Sequence, residues 1–404
     1  MNYSKNKGGI SEQIKKLGLI NMLASFAIAA AGSVWAIYFN SIIGDASRVG
    51  FVNTLFGIAG IISFIVFIPL IEKYSKTKIL ALSLLLYAAS YFLFSANKNL
   101  IFAIILGLAV YASAAMRINA VGIILRDKSK KNSVSKNSGV LYTLLNLSWL
   151  FGPLAAGFIS SRFGIGWVFF VSGVFILLSL FFFKVLRFKD DRKSKTVDRH
   201  IGKFMVEFFS QKKFILNYII RGGISFWWAF IYIYIPIYIV TQKPLNGDLI
   251  VGYFLSGVVA PLIFLEYPFG KAAGRKGFRK MFFRGYAILA IVSILCFLLY
   301  DFYPVLLLLV LGSVGAAMLE PTTDAYFFDI TKKYQRDKYY GIYNTSMDVF
   351  YALSLFVVAW AVKLYEFKYA FLFVGFFMFV FAIISLGVRK VIEEKPEVGG
   401  FDGV

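Results

Sequence analysis

Ser113-Ala114-Ala115-Met116-Arg117-Ile118-Asn119-Ala120 is answered, 202 positions on, by Gly315-Ala316-Ala317-Met318-Leu319-Glu320-Pro321-Thr322 (315 − 113). The offset is not local. Asp127-Lys128-Ser129-Lys130-Lys131 returns as Asp329-Ile330-Thr331-Lys332-Lys333, and Ser138-Gly139-Val140 as Tyr340-Gly341-Ile342. Trp167-Val168-Phe169 returns as Tyr369-Ala370-Phe371 in the same register. In a chain of 404 residues this offset is half the length, so the sequence reads as one unit written twice. Membrane proteins built from two such halves usually carry their site between them.

Each copy is mostly apolar. Hydrophobic types make up 59% of the chain, against about 45–50% in soluble domains. They gather in twelve runs, near 17–40, 50–71, 79–96, 100–124, 138–160, 166–187, 214–240, 249–270, 282–300, 304–328, 341–363 and 369–388. About 20 apolar residues cross a bilayer as a helix, and the strict alternation of a barrel strand is absent. The fold class is therefore an all-α membrane protein, with twelve transmembrane helices in two pseudo-symmetric six-helix bundles. The bundles are expected at 1–188 and 214–390, with a cytosolic linker at 189–213 and a disordered tail at 391–404.

The net charge is +22, which first suggests a nucleic-acid partner. Its placement argues against one. If the N-terminus is cytosolic, 35 of the 43 Lys and Arg fall in the tails and inner loops. The outer segments hold only Arg48, Lys98, Arg162, Lys243, Lys363 and Lys368, while Arg117 and Arg221 lie within apolar runs. This bias places both termini in the cytosol of a multi-pass protein of the cytoplasmic membrane. Anionic lipid head groups are then the expected contact of the charge.

Other classes fall away on residue content. A lone cysteine, Cys296, allows no internal disulfide, and a lone histidine, His200, gives no metal cluster and no His-based triad. No metal, no cofactor and no enzymatic activity are expected. An ATP-driven pump is not expected, since no nucleotide-binding domain is read from these 404 residues. Lys15 and Lys16 lead directly into a long first run, so no cleavable signal is expected. A monomer is expected.

The linker has two characters. Lys189-Asp190-Asp191-Arg192-Lys193-Ser194-Lys195 reads as solvated chain. Farther on, Ile201, Phe204, Met205, Phe208 and Phe209 recur at i, i+3, i+4, i+7 and i+8, with Lys203, Glu207 and Gln211 opposite. That spacing predicts a short amphipathic helix lying on the inner membrane surface; the competing reading is a disordered linker.

Twelve helices in two halves, cytosolic termini and a long central inner loop resemble the major facilitator superfamily over nearly the whole chain. Three motifs sharpen the resemblance. The family's loop between the second and third helix of each half, a Gly, an acid and basic residues around a second Gly, is similar to Gly270-Lys271-Ala272-Ala273-Gly274-Arg275-Lys276-Gly277, with Gly274 where the acid would be. The first-half copy, Glu72-Lys73-Tyr74-Ser75-Lys76, keeps the acid and replaces the Gly by Ser75. Such a loop is expected to turn tightly through its glycines. The second motif, Gly152-Pro153 in the fifth helix, resembles the family's antiporter signature; its second-half counterparts are Ser354 and Leu355. The third is an Asp eight residues after a Pro at the inner end of a helix, matched by Pro321 and Asp329. One family feature is missing: the Arg often found about twenty residues before the first-half Asp is Gly107 here, so its role does not carry over.

The resemblance implies a secondary transporter working by alternating access on a small-molecule substrate. The residues that could do the work are the costly ones, the ionisable groups inside helices. Arg117 is the first half's member; Arg221, Glu266, Glu320, Asp324 and Asp348 belong to the second. Glu320 and Asp324 lie one turn apart on one face, where two carboxylates compete for a proton. With Asp348, whose first-half counterpart is Asn146, they are the proton-coupling candidates. The competing reading makes Glu266, Asp324 and Asp348 latch residues for inner-loop cations.

Asn217, Arg221, Ser225, Trp228 and Tyr232 form one stripe of the seventh helix, with Arg221 expected to neutralise an acid such as Asp348. The substrate-cavity candidates are Asn21, Ser25, Arg117, Asn146, Arg221, Trp228 and Tyr232; with aromatics at 19% of the chain, the last two could equally be ordinary packing. The gating candidates are Glu72, Lys73, Gly152, Pro153, Glu266, Gly270, Arg275 and Gly277. Proton-coupled export is the first functional expectation, on the Gly152-Pro153 motif. Uptake of an anionic metabolite with protons, held by Arg117 and Arg221, is the alternative, and a non-transporting scaffold or receptor the third.

Overall fold

The computed structural model describes residues 12–128, 134–186 and 201–388. Six helices come first: α1 (Glu12–Ile43), α2 (Ala46–Lys73), α3 (Lys76–Ala96), α4 (Leu100–Lys128), α5 (Val134–Phe163) and α6 (Ile165–Val185). The short α7 (Ile201–Phe209) follows, then α8 (Lys212–Ala229) and α9 (Ile235–Gln242), joined without a break through Phe230–Tyr234. The chain continues as α10 (Gly247–Lys276), α11 (Phe278–Leu299), α12 (Phe302–Ile330), α13 (Lys333–Leu364) and α14 (Lys368–Ser385). Counting α8 and α9 as one, twelve helices among the described residues are long and apolar enough to cross a membrane, so this is a multi-pass membrane protein. The tail at 391–404 and the first part of the linker lie outside the described residues.

The helices run past the apolar stretches and leave very short turns. Gly270 and Gly274 do not turn at all; α10 runs through them, and only Gly277, with φ +87°, makes the corner to α11. That conformation favours glycine. At the equivalent corner of the first half Ser75 keeps φ −65°, and its hydroxyl caps α3 by accepting the Lys78 N–H at 3.3 Å. One corner thus has two solutions, a positive φ in one copy and a side-chain cap in the other.

The chain forms two compact units that cut across the halves. The first comprises Met1–Arg199, Ala229–Val259 and Ala352–Lys363. Its core is aromatic: Trp35, Tyr38, Phe39, Phe56, Phe94 and Phe169 meet at ring separations such as 5.1 Å (Trp35–Phe39) and 5.2 Å (Trp35–Phe94). The Trp35 indole donates to Asn53 Oδ1 at 2.9 Å, so the one polar atom of that ring is satisfied inside the core.

Within this unit, at the end where α1 finishes and α2 begins, α5 crosses α10 almost backbone to backbone. A Cβ on Gly157 would sit 2.9 Å from Gly252 Cα, and one on Gly252 would sit 2.6 Å from the Pro153 carbonyl oxygen. Beside the crossing the Ser160 hydroxyl donates to Asp248, and Ser256 Oγ donates to the Leu150 carbonyl at 2.6 Å. The Tyr234 hydroxyl donates to the Leu355 carbonyl at 2.5 Å, and Phe51 meets Trp360 at 5.6 Å. The parts of α9, α10 and α13 that belong to this unit are thereby sealed onto the first six helices.

The second unit comprises His200–Trp228, Ala260–Tyr351 and Leu364–Val404. Here α7 is a helix, as its spacing predicts, but its apolar face is divided. Phe204 and Phe208 are buried with Phe214, Phe327, Tyr339, Ile342 and Tyr343. Phe208 stacks on Phe214 at 5.1 Å, while Met205 and Phe209 stay exposed. The helix is docked on protein as well as presenting an apolar edge.

Candidate functional site

Four of the second unit's intramembrane charges, Arg221, Glu266, Glu320 and Asp324, converge on three helices. Arg221 projects from α8, whose backbone is fixed there by the Tyr286 hydroxyl donating to the Ile220 carbonyl. Its Nη1 forms an ion pair with Asp324 Oδ1 of α12 at 3.3 Å and donates to Thr323 Oγ1 at 3.1 Å; Nη2 lies 3.2 Å from Met347 Sδ. The guanidinium sits 5.7 Å from the centre of the Tyr343 ring. One turn back along α12, Glu320 Oε1 accepts the Trp228 indole N–H at 2.6 Å. The Glu320 carboxyl also lies close enough to Glu266 of α10 for the two acids to interact.

The geometry reassigns several partners expected from sequence. Arg221 pairs with Asp324, not Asp348. Glu266 lies beside Glu320. Asp348 is exposed and lies near Tyr218, whose hydroxyl shares a 3.1 Å hydrogen bond with Thr345. The seventh-helix stripe is divided: Arg221 and Trp228 reach the α12 carboxylates, Asn217 and Ser225 are buried, and Tyr232 belongs to the first unit, 5.2 Å from Trp149. Thr323, Met347 and Tyr343 were not singled out by sequence. Thr323 could have been, as the hydroxyl beside Asp324 on a helix that carries acids; Met347 and Tyr343 carry no signal apart from the packing.

In the first unit Arg117 Nη1 donates to Asn21 Oδ1 at 2.7 Å. Tyr87 and Tyr91 of α3, each 2% exposed, lie close enough to interact with its charge. Ser25, one turn beyond Asn21, is buried, and Asn146 is partly buried. Gly107 faces the Phe56 ring with no room for a Cβ, so the position where the family carries an Arg is filled by an aromatic from α2. Gly152 presses on Ala29, where an added Cβ would come within 2.8 Å. Pro153 and Gly157 face α10 on the other side, so the motif occupies a helix held closely on two sides. Gly270 and Gly277 lie at the end of α10, and the side chains of Glu72, Lys73 and Arg275 lie outside the described residues. No group of three His, Cys, Asp or Glu able to hold a metal occurs among the described residues.

The sequence matches the family described as Major Facilitator Superfamily over residues 17–265 and 247–403. It is 25% identical over 203 residues to an uncharacterized transporter of Buchnera aphidicola subsp. Schizaphis graminum, covering 50% of this chain and 51% of that one. The chain thus spans about half the length of that relative. It is 23% identical over 272 residues to the quinolone resistance protein NorA of Staphylococcus aureus, covering 66% of this chain and 68% of NorA. A POT family transporter crystallised with 5-aminolevulinic acid shares the fold, with a TM-score of 0.78 at 12% identity, over 95% of this chain and 97% of that one.

Proposed function

Because the chain belongs to the Major Facilitator Superfamily and is a membrane transporter of that kind, we propose that it is a proton-coupled secondary transporter exporting a small organic solute. It works by alternating access from the cytoplasmic membrane, with both termini cytosolic and as a monomer. The observation that carries the reading is the Arg221–Asp324 ion pair at 3.3 Å with Glu320 one turn away on the same helix and Glu266 beside it. Two acids sharing one proton next to a movable cation make a charge switch. When the proton leaves, the second carboxylate is exposed to the first in a low dielectric. The nearest relief is Arg221, which already feels both Glu320 and Asp324. Shifting the guanidinium toward Glu320 loosens its hold on Asp324 and so alters the α8–α12 packing, which couples protonation to helix movement. Export rather than uptake is supported by the Gly152-Pro153 motif and by a resistance protein among the relatives.

Protons coupled this way predict a split phenotype. The neutral Glu320→Gln variant, reconstituted in liposomes, is expected to keep counterflow of solute while losing accumulation driven by an imposed pH gradient. Gradient-driven accumulation equal to that of the parent removes Glu320 from the coupling.

A further inference from the structure

The two intramembrane arginines are not equivalent. Arg221 has a carboxylate at 3.3 Å. Arg117, within the membrane span Leu100–Leu125, has none among the described residues. Its surroundings are neutral: the Asn21 amide oxygen at 2.7 Å and two buried phenols, Tyr87 and Tyr91, whose rings lie 5.6 Å apart. Asn21 takes one guanidinium nitrogen; Nε is buried without a hydrogen-bond partner. The Ser25 hydroxyl, on the same face of α1 one turn further on, is also buried and unpartnered. A cation withdrawn from water with no counter-ion is costly, and so is each unmatched donor. An arginine held by one edge presents its remaining N–H groups in the fork that suits a carboxylate or phosphate. The charge is particular to this copy, since the repeat places Leu319 at the matching position.

We propose that Arg117, with Asn21 and Ser25, forms an oxyanion subsite, so that the transported solute carries a carboxylate or phosphate that supplies the missing counter-ion. Asn21 orients the guanidinium and Ser25 adds a hydroxyl donor. The proposal rests on the transport reading for its purpose but not for its test, which uses equilibrium binding with no gradient. A failure here leaves the coupling role of Glu320 standing, and the reverse.

The full-length protein, delipidated in neutral detergent, is titrated with benzoate, phenyl phosphate, benzamide and benzylammonium, and binding is followed calorimetrically and by the shift in Tm. The parent is expected to bind benzoate or phenyl phosphate about tenfold more tightly than benzamide, a difference of about 1.4 kcal/mol. Arg117→Gln is expected to abolish that preference and, by removing an uncompensated charge, to raise the Tm of the empty protein. Arg117→Lys keeps the charge and part of the preference. Equal response to benzoate and benzamide in the parent, or an undiminished preference in Arg117→Gln, overturns the subsite. So does stabilisation through Arg117 by phosphatidylglycerol micelles alone, which assigns the charge to a lipid head group.

Discussion

At the scale of single residues the second unit is a set of paired charges, and pairing sets the energetics. Arg221 and Asp324 are mostly buried, with side chains 12% and 30% exposed, so neither is well served by water. Removing one member of a buried pair strands the other and commonly costs about 3–5 kcal/mol, whereas removing both costs far less. Arg221→Gln is therefore expected to lower stability by about 3 kcal/mol, and Arg221→Gln with Asp324→Asn to recover most of it. Thermal unfolding of the purified proteins measures both; equal losses in single and double variants would show that the pair is not the stabilising contact. These residues are legible in the sequence and their partners are not, for a physical reason. The one-turn spacing of Glu320 and Asp324 fixes their common face whatever the tertiary structure. Which of Arg221, Trp228 and Glu266 each one meets depends on how α8 and α10 pack against α12, and no local pattern encodes that.

At the scale of elements, the irregular turns fall where the helices pass from one compact unit to the other. The seventh span leaves the second unit at Trp228 and enters the first at Ala229, just ahead of the wide turn Phe230–Tyr234. There the Ile235 N–H reaches back five residues to the Phe230 carbonyl, immediately before Pro236. The change of unit in α10 falls between Val259 and Ala260, next to Pro261. Proline deletes a backbone donor and wide turns loosen the hydrogen-bond ladder, so both passages are places where a helix can bend. Pro236 and Pro261 were visible in the sequence, but the wide turn was not, because a one-residue change of winding leaves the apolar pattern almost untouched.

The α5–α10 crossing is the complementary close-packed element, and the proposed alternating-access cycle would require it to part. Ser160→Cys combined with Asp248→Cys, in a chain whose native Cys296 is buried, is expected to form a disulfide across the crossing. Under oxidising conditions the doubly substituted protein should lose transport and regain it on reduction. Unimpaired transport by the cross-linked protein, with the cross-link confirmed by mass, would mean that this crossing does not open.

At the scale of the whole molecule, duplication supplies the architecture and divergence supplies the chemistry. The repeat at 202 positions and the twelve apolar runs were enough for the fold class, since helix length and hydrophobicity are properties of the chain alone. Among the described residues, Arg117 of the first copy has neutral partners, while Arg221 of the second has Asp324 and Glu320 beside it. A proton-coupled exporter follows from that division if a proton moving through the second copy drives a solute held in part by the first. The most direct measurement takes a compound found to stabilise the purified protein and follows it in inverted membrane vesicles with an acidified interior. The account predicts that the vesicles accumulate the compound, that their interior alkalinises as they do so, and that both effects vanish when an ionophore collapses the pH gradient. Accumulation that persists without the gradient, or that appears only in right-side-out vesicles, would contradict it.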